Sequence, residues 1–277
     1  MGFENKLKLR DLHIPKSREE LMRKIERDLL EDQNVLAFFY GGSIGEGNTD
    51  LYSDIDLRIV VKDVLFEQYR QNKRERAKNW GKVLFFEDFP GATYSIAHFD
   101  TFIKVDSFYY TSKDIVPSIW LKNIKIIKDH QSLLSSVLAA SQHLNYEMNI
   151  EQFDVWRYKF LAYVHETYRR CKRNEIFYAL NSLDWIRWSI ATGWYMDKGY
   201  PPNNPGDWAK IEGERSKLTE RQQELLKGWH SSRDPEQILS VMRSILPEFI
   251  EVHRKLCEKF GVDENPILFS KILELVK

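Results

Sequence analysis

The chain predicts an α/β (α+β) front half followed by an all-helical C-terminal bundle, and three observations carry that prediction. Apolar runs of strand length recur from residue 35 to residue 127 and then stop. Beyond residue 130 apolar residues repeat only at helical spacing. Between the first two apolar runs lies Gly41-Gly42-Ser43, followed after ten residues by Asp54-Ile55-Asp56, a turn-and-carboxylate pattern with no place in a purely helical chain.

The front elements follow in order. Ser17-Arg18-Glu19-Glu20 is a capping box, and Leu21, Ile25, Leu29 and Leu30 continue at helical spacing, which predicts a helix over 17–31. Val-Leu-Ala-Phe-Phe-Tyr, 35–40, has the length and composition of a buried strand. The two glycines after it permit positive φ and close backbone approach, and 44–52 can open a short helix. The apolar run 57–61 extends a strand that includes Asp54 and Asp56. Segment 64–79 is charged and helical in pattern, its basic run 70–78 reading as a solvated face, with phosphate or substrate contact as the alternative. Further strands are expected at 82–86, 94–99 and 102–110, the last two joined at Asp100-Thr101, and at 124–127, closed by Lys128-Asp129.

The back half is helical throughout. Phe153, Trp156, Phe160, Val164, Tyr168 and Cys171 define one helix, and Ile176, Leu180, Leu183, Ile186, Ile190 and Trp194 a second that ends near Gly199. Residues 201–205 form a loop. Helical segments follow at 219–229, 238–246, 248–260 and 263–276, with Pro247 placed to start a helix and Gly261 to close it. The boundary between halves falls near 129–148, giving domains 1–130 and 131–277.

Composition narrows the function classes. Lysine plus arginine equals aspartate plus glutamate at 41 each, so no global attraction to nucleic acid exists, and a small substrate is favoured over a polynucleotide. Cys171 and Cys257 lie far apart in helical patterns, which indicates neither a zinc site nor a disulfide framework. No apolar stretch approaches the ~20 residues that span a bilayer, and the charged N-terminus lacks an apolar signal core. The expectation is a cytoplasmic chain without a membrane partner.

The glycine–aspartate segment carries the chemistry. Successive N–H groups at Gly41, Gly42 and Ser43 can face an anion, and Ser43 adds a hydroxyl. Residues two apart on a strand share a face, so Asp54 and Asp56 point together while Ile55 and Leu57 point into the core. Two carboxylates beside a phosphate cradle make a hard-oxygen site for Mg2+ carried by a nucleoside triphosphate. Gly-Gly-Ser by itself reads first as a plain turn between strands; the acidic pair at this spacing, flanked by strands, is what selects the site. A Walker loop is excluded because Asn48 stands where its lysine belongs, and Gly45-Glu46-Gly47 lacks the third glycine of a dinucleotide fingerprint.

These residues resemble the signature of the DNA polymerase β-like nucleotidyltransferase superfamily. Segment 94–129, with its hairpin, Val105-Asp106 and Ile-Lys-Ile-Ile-Lys-Asp, looks like the streptomycin/aminoglycoside adenylyltransferase group. So do Phe153-Asp154-Val155-Trp156 and Arg173-Asn174-Glu175 through Arg187, although Asn174 stands where many relatives carry glycine. The resemblance implies a nucleotidyltransferase domain with a mixed sheet and a helical substrate-binding domain. It also implies ATP as co-substrate, magnesium, and AMP transfer to a hydroxyl of a small acceptor such as an amino-sugar. It calls for a third acid facing the pair: Asp106, mid-strand among apolar neighbours, is the candidate catalytic and metal-binding residue beside Asp54 and Asp56, with Asp100 as runner-up. Gly41, Gly42 and Ser43 are the expected nucleotide contacts. Arg157, Lys159, Arg169 and Lys172 are candidate phosphate or adenine contacts, each with a surface role as the alternative. The alternatives are a nucleotidyltransferase acting on RNA or protein, and a nucleotide-binding protein without catalysis.

Overall fold

Near-continuous burial along 35–40 and alternating burial along 55–59, 94–99 and 104–110 build the sheet expected there. A computed structural model describes residues 3–276, with side chains from residue 6. The strands are β1 (Val35–Tyr40), β2 (Ile55–Val61), β3 (Val83–Phe86), β4 (Tyr94–Phe99), β5 (Lys104–Tyr110) and β6 (Lys125–Asp129). They form one mixed sheet in the order β3-β4-β5-β2-β1-β6. Only β2 and β5 run parallel; the other neighbours are antiparallel. That one parallel pair sets Asp56 directly opposite Asp106.

The two faces of the sheet differ. Leu57, Ile59, Val105 and Tyr109 face one side, where they pack with Leu21, Ile25 and Leu29 of α1 (Phe3–Glu31) and Ala77 and Trp80 of α3 (Phe66–Trp80). Ala37, Phe39 and Val60 face the other side and pack with Ile115 and Leu134, the latter from α4 (Leu133–Ser141). Asp56 and Arg58 share that second face, half-buried, at the opposite end of β2 from Val60. Burying both sides of a central sheet is the usual reason its strands are apolar almost throughout.

Several local expectations change. Helix α1 starts at Phe3 and runs through Pro15 rather than opening at Ser17. Ile14 is 2% exposed and Asp11 accepts a hydrogen bond from Tyr52 Oη, so tertiary anchoring of the first turns outweighs the capping signal. The short helix after the glycines, α2 (Gly42–Glu46), ends at Gly47, whose φ of +70° is left-handed. The basic run on α3 is only partly solvated. Lys73 is buried, donating to the carbonyls of Phe89, Pro90 and Ala92 at 2.9, 2.9 and 2.7 Å. Arg76 pairs with Asp28 of α1 and with Asp32 just beyond its end.

Residues 1–144 and 145–277 form two compact units. The second holds α5 (Ile150–Lys172), α6 (Ile176–Asp197), α7 (Glu220–Gly228), α8 (Pro235–Phe260) and α9 (Pro266–Glu274) around one core that includes Phe160, Ile190, Met242 and Phe249. Capping boxes at Asn149/Gln152 and Thr219/Gln222 start α5 and α7, and Gly261 at φ +62° closes α8. Pro247 does not begin a helix, as its position suggests; α8 is continuous across it. Its ring lies on the exposed face, where water can serve the carbonyl left without a donor, while Ile245, Leu246 and Phe249 keep the buried stripe unbroken.

Candidate active site

The acidic pair, the third acid and the glycine turn come together on the second face of the sheet. Ile55 and Leu57 are fully buried in the core below, which turns Asp56 to the other side. β2 begins at Ile55, so Asp54 lies immediately before the strand rather than within it. Its approach is braced from α1: Arg18, 7% exposed, donates to the carbonyl of Ser53 at 2.9 Å. Ser53 Oγ in turn bonds Asp50 on both its N–H and its carboxylate. Across the parallel register, Asp106 sits between Lys104 and Phe108 on the same face, with Val105 and Ser107 buried behind.

Gly42 is the residue on which the cradle turns. Its φ is +52°, and a Cβ there would lie 1.9 Å from Asp56 Oδ2, so both backbone and space demand glycine. Gly41 plays a different part, since its N–H donates to the carbonyl of Asp56 at 2.9 Å and is unavailable to an anion. The N–H groups of Gly42 and Ser43, in the first turn of α2, have no i−4 acceptor within the helix. Ser43 Oγ and Asp106 Oδ1 are buried oxygens without a hydrogen-bond partner. Such orphans are uncommon in native interiors and ask for a ligand.

Two cations that sequence reasoning did not assign complete the arrangement. Lys104 Nζ lies 3.0 Å from Asp54 Oδ2 and 2.9 Å from Asp106 Oδ2. Arg58 Nη2 lies 3.5 Å from Asp56 Oδ1, and its guanidinium stacks over the Phe108 ring at 4.1 Å. Strand alternation could have found both, since Arg58 is two residues after Asp56 and Lys104 two before Asp106. Burial raises the pKa of Asp56, opposed by Arg58 and reinforced by Asp54. Burial also raises Asp106, opposed by Lys104 and reinforced by Asp54 and Asp56. Burial disfavours the charge on Lys104, but Asp106 and Asp54 more than offset it and hold the ammonium above the ordinary lysine range. The pair is asymmetric because Lys104 has two carboxylates while Asp106 has one cation against burial and two like charges.

The donor chemistry fits a hard divalent cation: carboxylate oxygens, one of them an orphan, beside a hydroxyl. As they stand, however, no three Asp, Glu, His or Cys side chains among the described residues are disposed to hold an ion. The Lys104 ammonium stands between two of the candidates.

The remaining candidates fall elsewhere. Asp100 is exposed in the β4–β5 turn, its N–H bound to the carbonyl of Lys82. Arg157 pairs with Asp154, Arg169 with Glu166 and Lys172 with Glu236. Lys159 and Arg169 also line a groove of about 530 Å³ between α5 and α6, together with Tyr163, Tyr178, Asn181 and Trp185. Tyr163 and Trp185 stack there at 5.7 Å between centroids, whereas Trp156 and Trp194 are core.

Residues 22–141 match the family model of the nucleotidyltransferase domain. Among solved structures, the chain is similar to an aminoglycoside 6-adenyltransferase from Bacillus subtilis, with 14% identity and a TM-score of 0.43 over 94% of this chain and 97% of that one. It is similar also to a nucleotidyltransferase-like protein from Exiguobacterium sibiricum, with 13% identity and a TM-score of 0.41 over 87% of this chain and 78% of that one. No curated protein matches the chain.

Proposed function

We propose that the protein transfers AMP from ATP to a hydroxyl of a small acceptor, with an amino-sugar as the acceptor class. The observation that carries the reading is the β2–β5 register, which pairs Asp56 with Asp106 beside the Gly42–Ser43 turn. The match of residues 22–141 supports nucleotidyl transfer. The choice of AMP and of an amino-sugar rests on the resemblance of segment 94–129 and of the helical half to the streptomycin/aminoglycoside adenylyltransferase group. The α5–α6 groove, with aromatic faces and Asn181, offers surfaces of the kind a polyhydroxylated ring uses.

Each residue has a part in this reading. The N–H groups of Gly42 and Ser43 and the Ser43 hydroxyl hold the outgoing phosphates, where negative charge grows as the bond breaks. Asp54 and Asp56 hold the metal. Bound there, Mg2+ supplies charge neutralisation at the transferred phosphoryl group and its leaving pyrophosphate. Asp106 either completes that hold or accepts the proton of the attacking hydroxyl, a task its raised pKa suits.

Incubation with ATP, Mg2+ and a panel of amino-sugars and nucleosides, read by mass for an AMP-bearing product and by pyrophosphate release, tests the proposal. An adduct heavier by one AMP moiety is the expected result. Calorimetry provides the second arm: wild type should bind ATP more tightly with Mg2+ than without it. Equal affinity in Asp54→Asn/Asp56→Asn would overturn the assignment of the site.

A further inference from the structure

We propose that Lys104 is the resident counter-cation of the acidic site. Its ammonium bridges Asp54 and Asp106 in the metal-free chain and has to leave before a divalent cation can enter, which couples metal entry to nucleotide binding. This inference rests on the nucleotidyl-transfer reading above.

The geometry distinguishes Lys104 from the other cation of the site. Its Nζ is within 3.0 Å of one oxygen from each of two carboxylates, Asp54 just before β2 and Asp106 on β5, a position between negative groups that a metal would otherwise take. Three carboxylates against Lys104 and Arg58 leave one net negative charge, a much weaker field for a dication than the unpaired triad. A monocation and a dication cannot share that space without strong repulsion in a half-buried setting. One of the two cations has to move, and Arg58 is the tethered one. Its Nη1 donates to the carbonyls of Leu57 at 3.2 Å and Asp106 at 3.4 Å, and its plane rests on Phe108. Lys104 has no such anchor besides the carboxylates, and its side chain is 32% exposed on a flexible four-carbon stem.

A destination for the displaced ammonium follows from the same charges. Free metal offers it nothing, because leaving Asp54 and Asp106 for water forfeits two charge-assisted hydrogen bonds. A triphosphate arriving with the metal supplies new anionic oxygens within reach of the strand. Lys104 therefore makes the site selective for metal and nucleotide together and resistant to stray cations.

The test uses Mn2+ as probe, with the free ion followed by electron paramagnetic resonance in titrations of the full chain. Titrations run with and without an ATP analogue carrying a methylene between its α and β phosphorus atoms. Removing the ammonium in Lys104→Met should tighten Mn2+ binding without nucleotide by about tenfold or more, the usual reach of one unit charge within ~4–6 Å. The same variant should bind the analogue less tightly and lose most of the gain that the analogue gives to Mn2+. Lys104→Arg, which keeps the charge, should stay near wild type. Lys104→Gln carries the same expectation as Lys104→Met should the apolar head disturb folding, judged by circular dichroism. Unchanged or weaker Mn2+ binding in Lys104→Met and Lys104→Gln, with Asp56→Asn still abolishing it, would overturn the role of Lys104 and leave the site assignment intact. Mn2+ binding indifferent to Asp54→Asn and Asp56→Asn would overturn the site assignment itself.

Discussion

Adjacent glycines at 41 and 42 do different work, and substitution separates them. A Cβ at Gly41 would meet only Asp56 Cβ at 4.0 Å, whereas at Gly42 it would collide with the Asp56 carboxylate in a left-handed backbone. Gly41→Ala should leave the melting temperature nearly unchanged. Gly42→Ala should destabilise the sheet unit by roughly 1–3 kcal/mol, the range for a residue held in a sparsely populated conformation, and should abolish nucleotide binding. Equal effects at both positions would mean that the turn is shaped by something other than Asp56. For Asp106, replacement by Asn removes charge at constant shape. If Asp106 takes the acceptor's proton, turnover should fall about 10² to 10⁴ with ATP–Mg2+ affinity largely kept, as expected for loss of a general base. Parallel losses in calorimetric affinity and turnover would make it a metal ligand. Near-normal turnover would remove it from the site. The carboxylates were legible because an aspartate among strand apolars needs an explanation. Their cationic partners were not assigned, because a lysine or arginine on a wet strand face is ordinary until its neighbours are known.

At the scale of elements, α3 and the loop that follows β3 are joined by one buried ammonium. Lys73 is 1% exposed, donates to three loop carbonyls and lies 3.6 Å from Asp88, itself held by Arg74, Ser95 Oγ and the N–H of Ile96. Burial pulls the Lys73 pKa below the lysine range, with Asp88 opposing the shift. Lys73→Met should leave those carbonyls and Asp88 short of a partner and lower stability by about 3 kcal/mol, as breaking a buried pair does. Urea unfolding of the full chain, followed at the sheet unit's own transition, checks this; a change below about 1 kcal/mol would show that water replaces the ammonium there. The strands matched their expected spans within a residue or two because short apolar runs bounded by turn residues mark strands on a sheet covered on both sides. Helix ends were less legible. α1 begins well before its capping box, and α8 runs through a proline because Ile245, Leu246 and Phe249 keep its buried stripe unbroken.

For the whole molecule, two units with separate cores predict separable responses to acid. His253, 4% exposed, stacks on Phe269 at 4.3 Å and lies near Phe153 and Phe249, and burial with the nearby Arg157 depresses its pKa to about 4. The unfolded chain binds that proton near pH 6.5, the folded chain only near 4, so the unfolded state holds more protons in between. The contribution of His253 to stability is therefore complete above about pH 6.5 and falls progressively down to about 4. Calorimetric melting should show the helical unit losing stability across that window more steeply than His253→Phe, which keeps an aromatic ring and removes the titration. Identical slopes for the two would place the acid sensitivity elsewhere.

By itself the sequence determined the class of fold, the spans of the strands and most of the helices, and the carboxylates and glycines proposed for the candidate site. All of these are written in local periodicity, in turn residues and in short spacing, which act over a few residues. Only the tertiary structure decided that β2 and β5 lie side by side and parallel, with 42 residues of chain between Val61 and Lys104 that include α3, β3 and β4. Asp56 meets Asp106, and Lys104 reaches Asp54, through that pairing alone. The same holds for Lys73 turned inward and for His253 enclosed by aromatic rings. Pairing between distant strands depends on which surfaces are buried together, and burial is a property of the assembled core rather than of any single segment.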